Sequence, residues 1–423
     1  MLEKININGL NEVIYKGKCN NGLIVYLWSS PKLKSTFMSL SVKYGSLDTE
    51  YIVNNVKHNV PNGTAHFLEH IKFNEKEGTA HEFFHKTGAD VNAFTTFKYT
   101  SYIVYAMNNV KDNLNHLLSF VETPYFNNKM IQKEKGIILE EAKMGEDDPG
   151  TVGYFGFFGS LFKNSKYRNL VTGNQKEIKS ISLKDIKDVY KTFYCPNNMF
   201  LTVTGNINPY ETFAWIEDTQ KQFKSNNNRI EKIIPKEPYK VNEEKVIKEA
   251  NIKTPNVKIA LKIPRKIFKD YSDIEIRVYI SLLLDMNFGI TNSFNEELMK
   301  NKLITDLGCS SNIYDDYVII SVSFDSNYYE QVLKMVNDKL HHLEINEKDF
   351  ERKVHAKIAT LILSFDDVEN VNYQIQDSVI DYGEIIPDIK KFWESLAYEK
   401  LSKINSLINF KNKAIYIMVP KTK

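Results

Sequence analysis

His66, Glu69 and His70 stand in the run His66-Phe67-Leu68-Glu69-His70, and these residue types at this spacing can hold and use a metal ion. Residues four apart share one face of a helix, so both imidazoles can direct a nitrogen at a single site. Neutral imidazoles suit Zn²⁺, which lowers the pKa of a coordinated water to about 7. Glu69 lies one step round the helix from the pair and is placed to take that water's proton. Histidines four apart also arise on packing helices, so five residues alone are a weak signature.

A catalytic zinc site needs a third protein ligand. The segment from Lys133 to Met144 reads as a helix, with Ile137, Ile138 and Glu141 spanning roughly one face. Glu134 and Glu141 are seven apart, close to two turns, so both carboxylates lie along one side. An acid among apolar neighbours is costly unless paired, and a metal is one such partner. A rival motif is present in His81-Glu82-Phe83-Phe84-His85-Lys86-Thr87-Gly88, which fits the ordinary H-E-x-x-H pattern extended to a glycine. The extended pattern wants a third histidine where this chain has Val91. Phe83 and Phe84 read as core-facing residues of a short packing helix, which leaves a conventional zincin on His81, Glu82 and His85 as the alternative.

The elements that must position these groups alternate in type. Asn21-Gly22 followed by Leu23 to Trp28 reads as a hairpin turn and strand, and Met38, Leu40, Val42 and Tyr44 alternate with polar residues as in a half-buried strand. A helix follows near Asn62, then a strand at Tyr102–Met107, a helix at Asp112–Glu122 and a strand at Phe200–Gly205. No Rossmann-type glycine pattern accompanies them, which predicts an antiparallel α+β fold. The stretch 224–244, with Asn226-Asn227-Asn228, Pro235 and Pro238, reads as a linker. The pattern then begins again with a strand at Val257–Ile263, a helix at Asp273–Met286 and a strand at Tyr317–Phe324. The expected organisation is residues 1–224 as a zinc-bearing domain, 225–245 as linker and 246–423 as a second domain of similar type. Each would be an antiparallel sheet with helices on one side.

Several of these segments resemble one family. Gly63-Thr64-Ala65-His66-Phe67-Leu68-Glu69-His70 is similar to the signature of the pitrilysin, insulysin and mitochondrial processing peptidase family, the inverzincins. Gly88 through Thr96, followed by Thr100 and Tyr102, resembles that family's edge-strand segment, and Glu134 to Glu141 its downstream acidic pair. Gly173, then Tyr194 through Met199 running to Gly205, resembles the close of its first domain. The resemblance covers roughly residues 20 to 210 and is closest to a bacterial zinc-bearing subunit type.

It implies a zinc metalloendopeptidase of short or unfolded peptides. His66, His70 and Glu141 would be the metal ligands, Glu69 the general base, and Glu134 the partner of a ligand histidine. Asn92, Ala93 and Phe94 would be the strand edge to which a peptide adds. Active members carry an Arg and a Tyr seven residues later in the second half, where this chain has Met299 and Asp306. The implied arrangement is a hetero-oligomer whose sister subunit supplies that pair. A non-proteolytic structural member is the other reading, although such members lose the zinc ligands.

Composition excludes other classes. With 423 residues the chain exceeds one typical core. A net charge of +2, from 55 basic and 53 acidic residues, argues against a nucleic-acid surface or a polybasic membrane contact. No apolar run approaches the ~20 residues of a membrane span, and no secretory h-region opens the sequence. Cys19, Cys195 and Cys309 are far apart and odd in number, which fits a reducing cytoplasm better than a disulfide framework.

Overall fold

Residues 36–42 form an interior strand of a seven-stranded sheet in the computed structural model, which describes Leu2–Lys421. The strands are β1 (Glu3–Ile7), β2 (Glu12–Lys18), β3 (Ile24–Ser29), β4 (Thr36–Val42), β7 (Asp90–Thr95), β8 (Thr100–Ala106) and β9 (Met199–Gly205), with a hairpin of β5 (Glu50–Val53) and β6 (Val56–Asn59) between them in sequence. Their order across the sheet is β1-β2-β3-β9-β4-β8-β7, leaving β7 at one edge. β3 and β9 run parallel and the other neighbours antiparallel. β10 (Ile230–Lys232) pairs with β5, so part of the stretch read as linker is a strand.

Alternation sends Val25, Leu27, Met38, Leu40, Val42, Val91, Tyr102 and Val104 to one face. There they meet helices α1 (Thr64–Lys72), α2 (Ala80–Thr87), α3 (Val110–Glu122) and α4 (Asn128–Asp147). Phe67, Leu68 and Ile71 of α1 are fully buried in this core, each contributing about 1.5–3 kcal/mol by leaving water.

β4 is buried along its whole length, not on one side as its alternation predicts. The cause is a helix from far along the chain, Val368–Tyr382, which covers the opposite face. Val371, Ile375 and Val379 pack there against Tyr26, Trp28, Phe37 and Phe200. A buried polar layer runs beneath them. Ser39 Oγ donates to Asn372 Oδ1 at 2.6 Å, Ser41 Oγ to Gln376 Oε1 at 3.0 Å, and Gln376 Nε2 to Asn372 Oδ1 at 2.9 Å. The polar alternate residues of β4 therefore have partners without facing water.

The chain makes two compact units. The first takes the chain up to Lys143, Leu170–Ile233 and Thr360–Phe392; the second takes Met144–Asn169, Ile234–Ala359 and the chain from Trp393. The second unit's sheet has the order β11-β15-β12-β14-β13, from β11 (Lys245–Ala250), β12 (Asn256–Pro264), β13 (Asp306–Tyr314), β14 (Tyr317–Asp325) and β15 (Lys413–Pro420). Val257, Ile259, Leu261 and Ile263 face the helix Asp273–Phe288. Lys262 is buried with Glu237, Nζ to Oε1 at 2.7 Å, and the Glu237 carboxylate also accepts the backbone N–H groups of Lys163, Asn164 and Ser165. Both sheets are antiparallel apart from one parallel pair each, the α+β class expected. Among the described residues no helix is long and apolar enough to cross a membrane.

Candidate metal centre

Helix α1 begins at Gly63, whose φ of +85° lies in the left-handed region. A Cβ there would stand 2.2 Å from the Thr172 carbonyl oxygen, and one on Gly173 would stand 2.6 Å from that of Asn62. Two backbones thus meet without side chains and fix where the helix starts. Its far end is held by Lys72, a buried residue whose Nζ donates to Thr123 O at 2.6 Å and lies 5.5 and 5.1 Å from the ring centroids of Phe126 and Tyr190. Burial pulls that ammonium down to about 7.

With its apolar side fixed in the core, α1 turns His66 and His70 toward α4. Ile131, Ile138 and Ala142 form the core face of α4 together with the buried Glu134, and Glu141 lies half-buried beside them. Ile137, expected on that face, is one step further round and 43% exposed. His66 Nε2 lies 3.9 Å from Glu141 Oε2, and His70 Nε2 lies 3.5 Å from the same oxygen. The three ligand atoms fall within 4.8 Å of one another, and this is the trio of potential ligands found among the described residues. Glu134 Oε1 stands 3.1 Å from His70 Nδ1.

Burial holds the His66 imidazole neutral, lowering its pKa to about 3, with the neighbouring His70 acting in the same direction. For His70 burial also acts downward, but the hydrogen bond to Glu134 and the charges of Glu141 and Glu69 leave it raised. His66 Nδ1 is buried without a hydrogen-bond partner. Two imidazoles and a carboxylate converging from two helices fit the donor set of a zinc site with an open position.

Glu69 is buried beside them, and its Oε2 accepts a hydrogen bond from Thr95 Oγ1 at 2.6 Å. Burial raises its pKa, opposed by the Thr95 hydroxyl and by His70. Thr95 belongs to a segment whose family resemblance is plain in the sequence, yet nothing there gave it a role. The available signal was alternation, which puts Thr95 on the same side of β7 as Ala93, and Ala93 packs on the core that holds α1. Asn92 and Phe94 point the other way. Asn92 Oδ1 accepts the Ala93 N–H at 2.8 Å, and Phe94 meets Tyr99 and Tyr373 with ring centroids 5.8 and 6.1 Å away.

The rival motif lies on α2, and among the described residues its side chains join no trio of potential ligands. His81 stacks on Phe73 at 4.5 Å, and Glu82 takes part in the first turn, its N–H capped by Thr79. His116 pairs with Glu75 at 3.1 Å and stacks on Phe83. In the second unit Met299 lies exposed on the helix Ser293–Lys300, and Asp306 opens β13.

Residues 25–152 match the model of Insulinase (Peptidase family M16), and residues 180–357 match that of the Peptidase M16 inactive domain. The uncharacterized zinc protease YmfH of Bacillus subtilis (strain 168) is 34% identical over 312 residues, 72% of each chain. The probable mitochondrial-processing peptidase subunit beta of Arabidopsis thaliana is 22% identical over 52% of this chain and 40% of its own length. The crystal structure of an M16-like peptidase from Alicyclobacillus acidocaldarius superposes with a TM-score of 0.91 at 22% identity, covering 97% of this chain and 99% of the other. Two family models match along the chain and a relative above 30% identity is matched over 72% of both chains, and the protein belongs to the insulinase family of peptidases, M16.

Proposed function

We propose that this chain is a zinc-dependent endopeptidase of short or unfolded peptides and the zinc-bearing member of a hetero-oligomer. The observation that carries the reading is the convergence of His66, His70 and Glu141 with a buried carboxylate, Glu69, beside them. His66, His70 and Glu141 would hold the ion, which when bound supplies a Lewis acid and a water acidic enough to be deprotonated near neutral pH. Glu69 takes the water's proton and later delivers it to the leaving amine. Glu134 holds His70 through Nδ1, leaving Nε2 for the ion. The free edge of β7 at Asn92, Ala93 and Phe94 receives the peptide as an added strand, the incoming carbonyl taking over the Ala93 N–H from Asn92 Oδ1. Main-chain pairing of this kind favours extended chains over folded ones.

Met299 and Asp306 offer no equivalent of the Arg/Tyr pair that would steady the oxyanion. A sister subunit supplying the pair completes the site, and one relative is itself described as a subunit. Three separate free cysteines suit a reducing cytoplasm. A second reading, a non-proteolytic family member, draws on the match of residues 180–357 to a domain described as inactive.

The deciding experiment measures metal content and cleavage of quenched peptides for wild type and Glu69→Gln, each with and without a second family subunit from the same genome. One zinc per chain, with cleavage that needs the partner and disappears in the variant, supports the proposal. Zinc with full activity alone removes the partner. Zinc without cleavage under either condition favours the non-proteolytic reading, and no zinc in the wild type sinks the metal site.

A further inference from the structure

The two oxygens of Glu69 are treated differently by their surroundings. Oε2 accepts the Thr95 hydroxyl at 2.6 Å, and among the described residues it is the carboxylate oxygen so held. Thr95 has one proton to give. Its other polar neighbour, Thr100 Oγ1, is 3.5 Å away and donates its own proton to Tyr44 O at 3.0 Å. Thr100 can then only accept from Thr95, at the outer limit of a hydrogen bond, and the carboxylate oxygen at 2.6 Å is the better placed acceptor of the Thr95 proton. A β-branched side chain at the end of a paired strand has little rotamer freedom, so this donor comes from a fixed direction.

The strand matters as much as the hydroxyl. Thr95 closes β7 directly after Asn92, Ala93 and Phe94, the edge assigned above to the peptide. One stretch of backbone thus bears the docking edge on its rim and the partner of the base on its core side.

We infer that Thr95 is a positioning residue for the hydrolytic step: its hydroxyl fixes the Glu69 carboxylate so that Oε1 is the oxygen presented to the water, and ties that orientation to the strand that registers the substrate. The inference rests on the peptidase reading. Without the hydroxyl the buried carboxylate is free to turn, and misplacement of a reacting group by about 1 Å costs on the order of 100-fold in rate.

The test compares Thr95→Val, which keeps shape and loses the donor, with Thr95→Ser, which keeps the donor. Thr95→Val is expected to lower kcat by roughly 10- to 100-fold with KM and bound zinc unchanged, and Thr95→Ser to restore most of the loss. A second readout uses metal-free protein: the Tm change caused by Thr95→Val should differ between wild type and a Glu69→Leu background. Equal kcat for Thr95→Val and wild type, or an equal Tm change in both backgrounds, overturns the inference. A wild type that cleaves no peptide defeats the peptidase reading instead, and the Tm comparison still decides whether Thr95 holds Glu69.

Discussion

Glu134 Oε1 lies 3.1 Å from His70 Nδ1 while His70 Nε2 lies 3.5 Å from Glu141 Oε2, so two acids close to two turns apart on α4 address the two nitrogens of one ring. The first orients the imidazole that the second faces. Partners of this kind typically govern metal affinity by about 10–100-fold. Glu134→Ala should weaken zinc binding by that order, measured by competition with a chromophoric chelator. Glu134→Gln should lose less, because its amide oxygen can still accept from Nδ1. Unchanged affinity in both variants would remove Glu134 from the site.

The two histidine motifs separate by substitution. Glu82→Gln should leave zinc content and cleavage at wild-type levels, since Glu82 lies in the first turn of α2 outside the trio of potential ligands. His66→Ala should lose the metal. The reverse pattern would move the site to α2.

Gly63 is a point where a single methyl group is expected to act at a distance from the chemistry. At φ +85°, with the Thr172 oxygen 2.2 Å from where a Cβ would stand, alanine must shift the start of α1. Strain of this type costs about 1–3 kcal/mol. Gly63→Ala should lower the Tm and the zinc affinity together, whereas Gly88→Ala, with nothing within 4 Å of its Cβ position, should lower the Tm alone.

Glu122 carries a pH dependence whose sign follows from burial. Its Oε2 accepts from Gln220 Nε2 at 2.6 Å, its Oε1 is buried without a partner, and burial raises its pKa from 4.5 to about 8. Between those values the folded chain keeps a proton that the unfolded chain has released, so stability falls as pH rises through the window. The loss is on the order of a few kcal/mol. Thermal unfolding at pH 5, 7 and 9 should show it in wild type, and Glu122→Gln should flatten the profile. A variant as pH-dependent as wild type would place the titrating group elsewhere.

In the second unit, Lys262→Met should destabilise by about 3–5 kcal/mol, because it strands the buried Glu237 carboxylate with only neutral donors. Urea unfolding followed by tryptophan fluorescence would register it. A variant as stable as wild type would mean that the three backbone N–H groups satisfy Glu237 unaided.

Local periodicity carried much of this fold in legible form. His66, Glu69 and His70 lie within one turn and a half, so their shared face could be read from spacing, and the strands at 100–106, 199–205 and 317–325 were marked by apolar runs. Glu141 needed the resemblance as well, because a helix shows which side an acid occupies but not what it will meet. Contacts made by distant segments were not legible. Thr95 reaches Glu69 only once β7 lies beside α1, and Asn372 and Gln376 are polar residues of the kind that normally face water, yet both are fully buried. Ile137 was misplaced for a related reason: an apolar residue at a rim position satisfies a periodicity count even where solvent takes it.

The buried Ser39, Ser41, Asn372 and Gln376 layer has a consequence for vectorial synthesis. A ribosome making this chain releases the strands of the first sheet early, but the helix that covers their second face starts at Val368. At about 5–20 residues per second, Tyr26, Trp28, Phe37 and Phe200 wait tens of seconds for their cover. During that interval the nascent sheet presents aromatic residues and unpaired hydroxyls to water, and an early stop codon before residue 368 would leave a polypeptide bearing every residue of the metal trio on helices of one face while the other face of the sheet stays uncovered.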